Sequence, residues 1–316
     1  MTFNGRTTSE EVVEGLALGG RTILITGTSA GIGREAARVL AGAGAEIVAV
    51  ARDGAKNARA VAAIRALHPA ARLHAVTLDL ADLAAVRRVA VELLAAHPRI
   101  DALINNAGVM GGPFQVTAGG HERHFAINHL GPFLLTNLLV PALRAAAPSR
   151  VVILSSAGHR LPGFDIADLH FRKRPYSYQA AYCQSKRANV LHAVALAPRL
   201  ARFGITVNAV HPGAIRSEVW RDLPAADADA GIGWSAHSGS PEKTASQGAA
   251  TEVWAAVSPQ CAGLSGQYFE DCAVARRIPV SNPGAVGVVD EALDPQTARR
   301  LWQVSEEAVG QRFAFS

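Results

Sequence analysis

The sequence predicts an α/β fold: a doubly wound, mostly parallel sheet of about seven strands with helices on both faces. Three observations carry that prediction. Short apolar runs alternate along the chain with longer segments of helical periodicity, the pattern of strands joined by crossover helices. The first apolar run passes directly into a glycine-rich turn and then a helix. Of the 316 residues, 49% are hydrophobic, and a chain of this length can bury the core of one large domain or two small ones. Residues 18–275 are read as a single domain, with an N-terminal extension at 1–17 and a C-terminal extension at 276–316.

Thr22 to Ile25 reads as a short buried strand, followed by the turn TGTSAGIG from Thr26 to Gly33. Arg34 to Ala43 reads as the first helix. Glu46 to Ala51 is a second strand, and Arg72 to Leu78 a third that ends at Asp79. Ile100 to Ile104 is a fourth, running into Asn105-Asn106-Ala107-Gly108. His121 to Ala146 reads as one long helix bent near Gly131-Pro132. Val151 to Leu154 is a fifth strand, with Ser155 and Ser156 at its carboxyl end. A helix bearing Tyr182 and Lys186 runs toward Phe203, where Gly204 suits a C-cap. Ile205 to Val210 is a sixth strand ending at His211-Pro212-Gly213, and Gly266 to Phe269 a seventh. Segments 158–177 and 216–239 read as insertions. Ser240 and Pro241 then suit an N-cap and first helical residue, and the tail carries a helix over Pro295 to Val309. The glycine turn, Asp79, the Asn-Asn turn, Ser156 and Pro212-Gly213 all fall at carboxyl ends of strands, where open α/β sheets bind ligands.

Composition narrows the function. The formal net charge is +5 and the basic residues are scattered. Arg172-Lys173-Arg174, the one tight cluster, reads as a solvated loop, so no nucleic-acid partner is expected. The N-terminal run has no signal-peptide pattern. The longest apolar tract, Phe133 to Ala147, is interrupted by Asn137, Pro141 and Arg144 and reads as a buried helix, so no membrane span is expected. Three cysteines without a secretion signal suggest reduced thiols and a cytoplasmic location. Cys183 reads as packing, because neighbouring helix positions point apart. His121, His124 and His129 lie close in sequence, but there is no HExxH pattern and no paired cysteines, so no metal is expected.

Two features carry chemistry. Tyr182 and Lys186, at i and i+4, share one helix face. A nearby ammonium favours the phenolate and lowers the phenol pKa, which suits the pair to moving a proton at a substrate oxygen. The turn Gly27, Ser29, Gly31, Ile32, Gly33 lets the backbone approach a ligand closely and presents a helix N-terminus to a pyrophosphate.

TGTSAGIG, Asn105-Asn106-Ala107-Gly108, Ser155-Ser156, Tyr182-x-x-x-Lys186 and Pro212-Gly213 occur in this order. On these motifs the chain resembles the classical short-chain dehydrogenase/reductase family over about Leu18 to Asp271. The segments HFAINHLGPFLLTNLL and AYCQSKRANVL resemble its branch of retinol dehydrogenases and the WW-domain oxidoreductase. The resemblance implies a Rossmann-type domain and a carbonyl/alcohol oxidoreductase. Tyr182 would donate and accept the proton, and Lys186 would also bind the nicotinamide ribose. Ser156 would hold the substrate oxygen, with Ser155 as its competitor. Asn128 would support a water relay to the lysine, or cap the helix kink near Pro132, or both. Tyr176 and Tyr178 are rival phenols, but neither has a lysine four residues on, so they read as substrate contacts or surface residues.

By the same resemblance, Asp79 and Leu80 would meet the adenine, and Asn106, Ala107 and Gly108 the adenosine side. Pro212, Gly213, Ile215 and Ser217 would grip the nicotinamide and pyrophosphate. Ala51 stands where NAD-specific relatives have a carboxylate, and Arg52 follows it, which favours the 2′-phosphate of NADP(H). NAD(H) is the alternative through Asp53. Segment 216–240 would form a mobile lid, and Met110, Phe114, Leu161, Phe164 and Trp220 would make a pocket for a lipophilic small molecule. Many retinol dehydrogenases carry a membrane anchor, and the absence of one here implies a soluble relative. Relatives often pair through the tyrosine helix, a homo-oligomer contact that the tail can block or replace. A competing reading is a redox-sensing or scaffold protein that binds NAD(P) without turnover.

Overall fold

The computed structural model describes residues 2–215, 223, 242–282 and 284–315. In chain order its elements begin with α1 (Ser9–Val13), β1 (Thr22–Thr26), α2 (Gly31–Gly42), β2 (Glu46–Ala51), α3 (Gly54–Leu67), β3 (Leu73–Thr77), α4 (Leu83–Ala96) and β4 (Ala102–Asn105). There follow α5 (Arg123–Phe125), α6 (Gly131–Leu138), α7 (Val140–Ala145), β5 (Ser149–Leu154), α8 (Tyr178–Leu200), β6 (Ile205–His211) and α9 (Ala245–Val257). The chain ends with β7 (Tyr268–Glu270), β8 (Ala273–Val274), β9 (Arg277–Ile278), β10 (Val288–Val289) and α10 (Pro295–Val309).

The strands form an 8-stranded sheet in the order β3-β2-β1-β4-β5-β6-β7-β8. The first seven are parallel, as the sequence predicts, and β8 adds a short antiparallel edge. Period-two alternation divides the strand residues between two cores. Ile23, Ile25, Ile47, Ala49 and Ile104 pack with α2 and α9 on one face. Leu24, Val48, Val50 and Leu103 pack with α4, α6 and α8 on the other. The strand order reverses between β1 and β4, which opens a crevice at their carboxyl ends.

One local expectation is corrected. The long helix predicted over 121–146 is broken into α5, a π-helical turn at Ala126–Leu130, α6 and α7. Pro132 and Pro141 have no N–H to continue the ladder, and the breaks fall just before each. α9 opens at Ala245, where Thr244 and Gln247 form a capping box. Ser240 and Pro241, the expected N-cap and first helical residue, lie outside the described residues. α8 ends at Leu200, a tighter helical turn carries on over Ala201–Phe203, and Gly204 caps it at φ +70, as expected.

Both extensions lie on the domain. α1 packs on α9 and α2, with Val12 buried in that core. In the tail, β9 and β10 pair in parallel as a second sheet, and α10 lies along α8 of the same chain. Trp302 of α10 meets the ring of Phe133 at 4.9 Å. His129, in the π-helical turn, is 2.8 Å from Ser305 Oγ. This cover explains why α8 is buried on nearly every side, polar residues included.

Candidate active site

A cleft of about 500 Å³ runs along the carboxyl edge of the sheet. Its nucleotide-sized end is made by backbone. Gly27, Ser29, Gly31, Ile32 and Gly33 line it. Gly27 has φ +82, a conformation open to glycine. A Cβ on Gly33 would stand 2.2 Å from Asn106 Nδ2 and 2.6 Å from the Gly27 oxygen, so nothing larger fits. Asn106 Nδ2 donates to the Thr26 oxygen at 2.8 Å, so this side chain holds the turn's shape. Ala107 and Gly108 continue the same wall.

α2 begins at this turn, and no side chain caps it. The contrast with the other long helices is informative. α3, α4, α8, α9 and α10 are capped by Asp53, Asp82, Ser177, Thr244 and Asp294. The free N–H groups of α2 therefore face the cleft, with the positive end of the helix dipole behind them.

Arg52 and Asp53 sit beyond β2 at the rim. Asp53 accepts the Lys56 N–H at 2.9 Å as the cap of α3, so its carboxylate already has a structural task. Arg52 is exposed. Lys56 also lines the rim, a residue that the sequence reading passes over. The signal was present: a lysine in the first turn of a helix opposes the dipole and needs another reason to be there. Asp79 accepts the Ala81 N–H at 2.9 Å and lines the cleft beside Leu80. Pro212, Gly213 and Ile215 close the far wall, and Ser217 lies outside the described residues.

The other end of the cleft is made by side chains. Tyr182 and Lys186 stand one turn apart on α8, both buried. Lys186 Nζ lies 5.7 Å from the Tyr182 ring centroid and donates to the Leu154 oxygen at 3.2 Å. Burial pushes the Tyr182 phenol up to about 12, against a smaller lowering by its hydrogen bond with Ser156. Burial also draws the Lys186 ammonium down to about 8. The expected lowering of the phenol by Lys186 is thus overridden, because the site removes both charged forms from water.

The two serines have different partners. Ser155 Oγ donates to the Lys186 carbonyl oxygen at 2.8 Å. Ser156 hydrogen-bonds Tyr182, which brings it rather than Ser155 to the phenol. Asn128, in the π-helical turn, stands behind the wall. Its Oδ1 accepts the Val109 N–H at 2.8 Å. Its Nδ2 donates to the Val109 oxygen at 3.0 Å and to Ser185 Oγ at 2.9 Å. A Cβ on Gly108 would lie 3.3 Å from both Asn128 Oδ1 and Lys186 Nζ, so Gly108 separates the two.

Beside the phenol, Met110, Tyr182 and Cys183 form a small buried cluster, with Leu161, Tyr178 and Leu223 packed against it. Cys183 is buried in this cluster, as its reading as a packing residue expects, and burial pushes its thiol up to about 12. Phe164 packs against the main core, and Phe114 is exposed against Tyr176. Trp220 and nearly all of the expected lid lie outside the described residues. Among the described residues no group of three or more His, Cys, Asp or Glu side chains could hold a metal ion, and no helix is long and apolar enough to cross a membrane.

A family model described as short chain dehydrogenase matches residues 21–228. Retinol dehydrogenase 12 of Homo sapiens is 41% identical over 94% of this chain and 88% of its own length. Retinol dehydrogenase 13 of Homo sapiens is 39% identical over 92% and 85%. Among solved structures, an uncharacterized protein from Mycobacterium paratuberculosis superposes with a TM-score of 0.72 at 30% identity, covering 96% of this chain and 98% of that one. A short-chain dehydrogenase from Burkholderia cenocepacia, solved in complex with NADP, has a TM-score of 0.63 at 26% identity over 80% and 97%. The chain belongs to the short-chain dehydrogenase/reductase family, in its retinol dehydrogenase branch, and is an NAD(P)-dependent oxidoreductase of alcohol and carbonyl groups.

Proposed function

We propose that this protein interconverts a carbonyl and an alcohol on a lipophilic small molecule, with NADP(H) as the preferred cofactor and Tyr182, Lys186, Ser156 and Asn128 as its working residues. One observation carries the reading. Ser156 and Tyr182 are hydrogen-bonded at one end of a cleft whose other end is an uncapped helix N-terminus with Arg52 at the rim.

The residues present fit a nicotinamide dinucleotide. The α2 N–H groups suit its pyrophosphate, and the Gly27–Gly33 turn admits close backbone approach. Arg52 and Lys56 suit a 2′-phosphate, while Asp53 is occupied as a helix cap. When bound, the cofactor supplies or accepts the hydride. Ser156 would orient the substrate oxygen and stabilise charge developing on it. Tyr182 would give its proton to that oxygen in reduction and take it back in oxidation. Its high pKa keeps the proton in place until the oxygen becomes basic. Lys186 would hold the ribose and feed protons toward Tyr182, with Asn128 bracing the turn behind it. Met110, Leu161 and Tyr178 support an apolar substrate, in line with the names of the relatives. The three buried, unpaired thiols support a reducing, cytoplasmic setting.

Binding without turnover is the second reading: a phenol pushed up to about 12 is rarely ionised near neutrality and so is rarely available as a base in the oxidative direction. The deciding test is NADPH consumption over a panel of hydrophobic aldehydes and ketones, with NADH and Tyr182→Phe in parallel. Turnover that vanishes in the variant supports the oxidoreductase mechanism. Cofactor binding with no turnover on any member of the panel supports the sensor.

A further inference from the structure

The turn after Ser156 is held by a buried network that the proposed mechanism does not use. Ala157–Arg160 forms a tight helical turn, and Ser156 Oγ accepts the Gly158 N–H at 3.2 Å. His159 is fully buried and bridges two segments. Its Nδ1 is 2.7 Å from the Ser156 oxygen, and its Nε2 is 3.4 Å from the backbone nitrogen of Val289 on β10. An N–H can only donate, so Nε2 accepts from Val289 and Nδ1–H donates to Ser156. The next residue, Arg160, is also fully buried. It donates from Nε to the Gly287 oxygen at 2.9 Å and from Nη2 to Glu270 Oε1 at 2.7 Å. Glu270 closes β7, in register with His211, which lines the cleft. From α8, Arg187 donates to the His159 oxygen at 2.8 Å and the Leu161 oxygen at 3.0 Å.

Buried ion pairs are poor sources of stability, since desolvation offsets most of their attraction. Here every bond ends on the turn that carries Ser156 or on a strand end beside it. We propose that His159 and Arg160 are positioning residues, through which the C-terminal segment Gly287–Val289 fixes Ser156 against Tyr182. This rests on the oxidoreductase reading for its catalytic consequence, but the clamp itself is testable without turnover.

The experiment uses the full chain and three variants. His159→Gln keeps an acceptor near the Nε2 position and loses the donor to Ser156. His159→Asn keeps a donor near Nδ1 and loses the Val289 bond. Arg160→Lys keeps the charge and loses the fork. Hydrogen exchange is read over residues 155–161, with kcat, KM and the pH profile of kcat measured on a substrate found in the panel. We expect faster exchange over 155–161 in His159→Gln and Arg160→Lys, with exchange at the glycine turn unchanged. A misplacement of this kind should lower kcat about tenfold or more with little change in cofactor affinity. His159→Asn should recover part of that loss. The alkaline limb of the kcat profile should move up, because Ser156 lowers the Tyr182 pKa. Unchanged exchange over 155–161 would overturn the clamp whatever the activity. Faster exchange with unchanged kcat and pH profile would reduce the network to a structural one. Faster exchange in a protein that turns over nothing would uphold the clamp and sink the oxidoreductase reading instead.

Discussion

The two ends of the cleft are built by different rules. The end proposed for the nucleotide is shaped by backbone: positive-φ glycine, close glycine–amide contacts and an uncapped helix start. These features lie within one strand-turn-helix unit and the Asn-Asn turn that packs on it. The end proposed for catalysis is shaped by buried side chains drawn from distant parts of the chain. Val289 and Gly287 reach His159 and Arg160, and α10 covers α8. Backbone geometry is rigid and local, whereas buried polar groups hold position only while every partner is present. The nucleotide end should therefore respond to substitution mainly through cofactor affinity, and the catalytic end mainly through kcat.

The largest effect belongs to the catalytic end. Tyr182→Phe removes the transferable proton and leaves the ring, so kcat should fall about 10²- to 10⁴-fold while cofactor affinity changes little. Steady-state kinetics with a direct cofactor titration checks this. An equal loss in both quantities would erase the distinction between the two ends.

Gly33→Ala tests the other end. The new methyl meets Asn106 Nδ2 and the Gly27 oxygen, and overpacking of this kind costs about 1–3 kcal/mol. NADPH and NADH should weaken together, by about tenfold or more, with kcat at saturating cofactor largely kept. Arg52→Asp should separate the two cofactors instead. Loss of a charge-assisted contact worth about 1.5–3 kcal/mol should weaken NADPH by about tenfold or more and spare NADH. NADPH affinity that stays at the parent's value would move the 2′-phosphate reading onto Lys56 or discard it.

The same division explains how far the sequence could be read. TGTSAGIG, Asn105-Asn106-Ala107-Gly108 and Tyr182-x-x-x-Lys186 are contiguous, and each brings its own local geometry. Seven parallel strands and the Pro295–Val309 helix were equally legible, because periodicity is a local property. What escaped was non-local. Nothing near His159 in sequence announces a partner 130 residues away. Tyr178 reads from sequence as a substrate contact or a surface residue, and only the fold chooses between them by packing it against the cluster of Met110, Tyr182 and Cys183. The net rise of the Tyr182 pKa is hidden from the sequence for a related reason. Helical spacing reveals the ammonium, but burial is decided by β5, the Ser156 turn and the rest of the core.

Glu252 lies outside both ends and gives the smallest expected effect on turnover. It is fully buried on α9, and neither carboxylate oxygen has a hydrogen-bond partner among the described residues. Burial pushes its carboxyl up to about 8 from the ordinary 4.5. The folded state therefore holds a proton that the unfolded chain releases above about pH 4.5. Stability from this group is fully present below the unfolded pKa and is lost as pH rises through about 8. Glu252→Gln cannot ionise, so it removes that dependence while keeping shape. Its own buried amide still costs about 1–3 kcal/mol at every pH, because its polar atoms inherit the same apolar surroundings. Relative to the parent, the variant should gain stability steadily from pH 4.5 to pH 8, by on the order of a few kcal/mol, and no further above. Denaturant unfolding at several pH values reads the difference directly. A flat difference across that range would mean that the Glu252 carboxylate is hydrated or meets a hydrogen-bond donor in solution and so ionises with an ordinary pKa. kcat and cofactor affinity should match the parent throughout, since neither end of the cleft depends on this side chain.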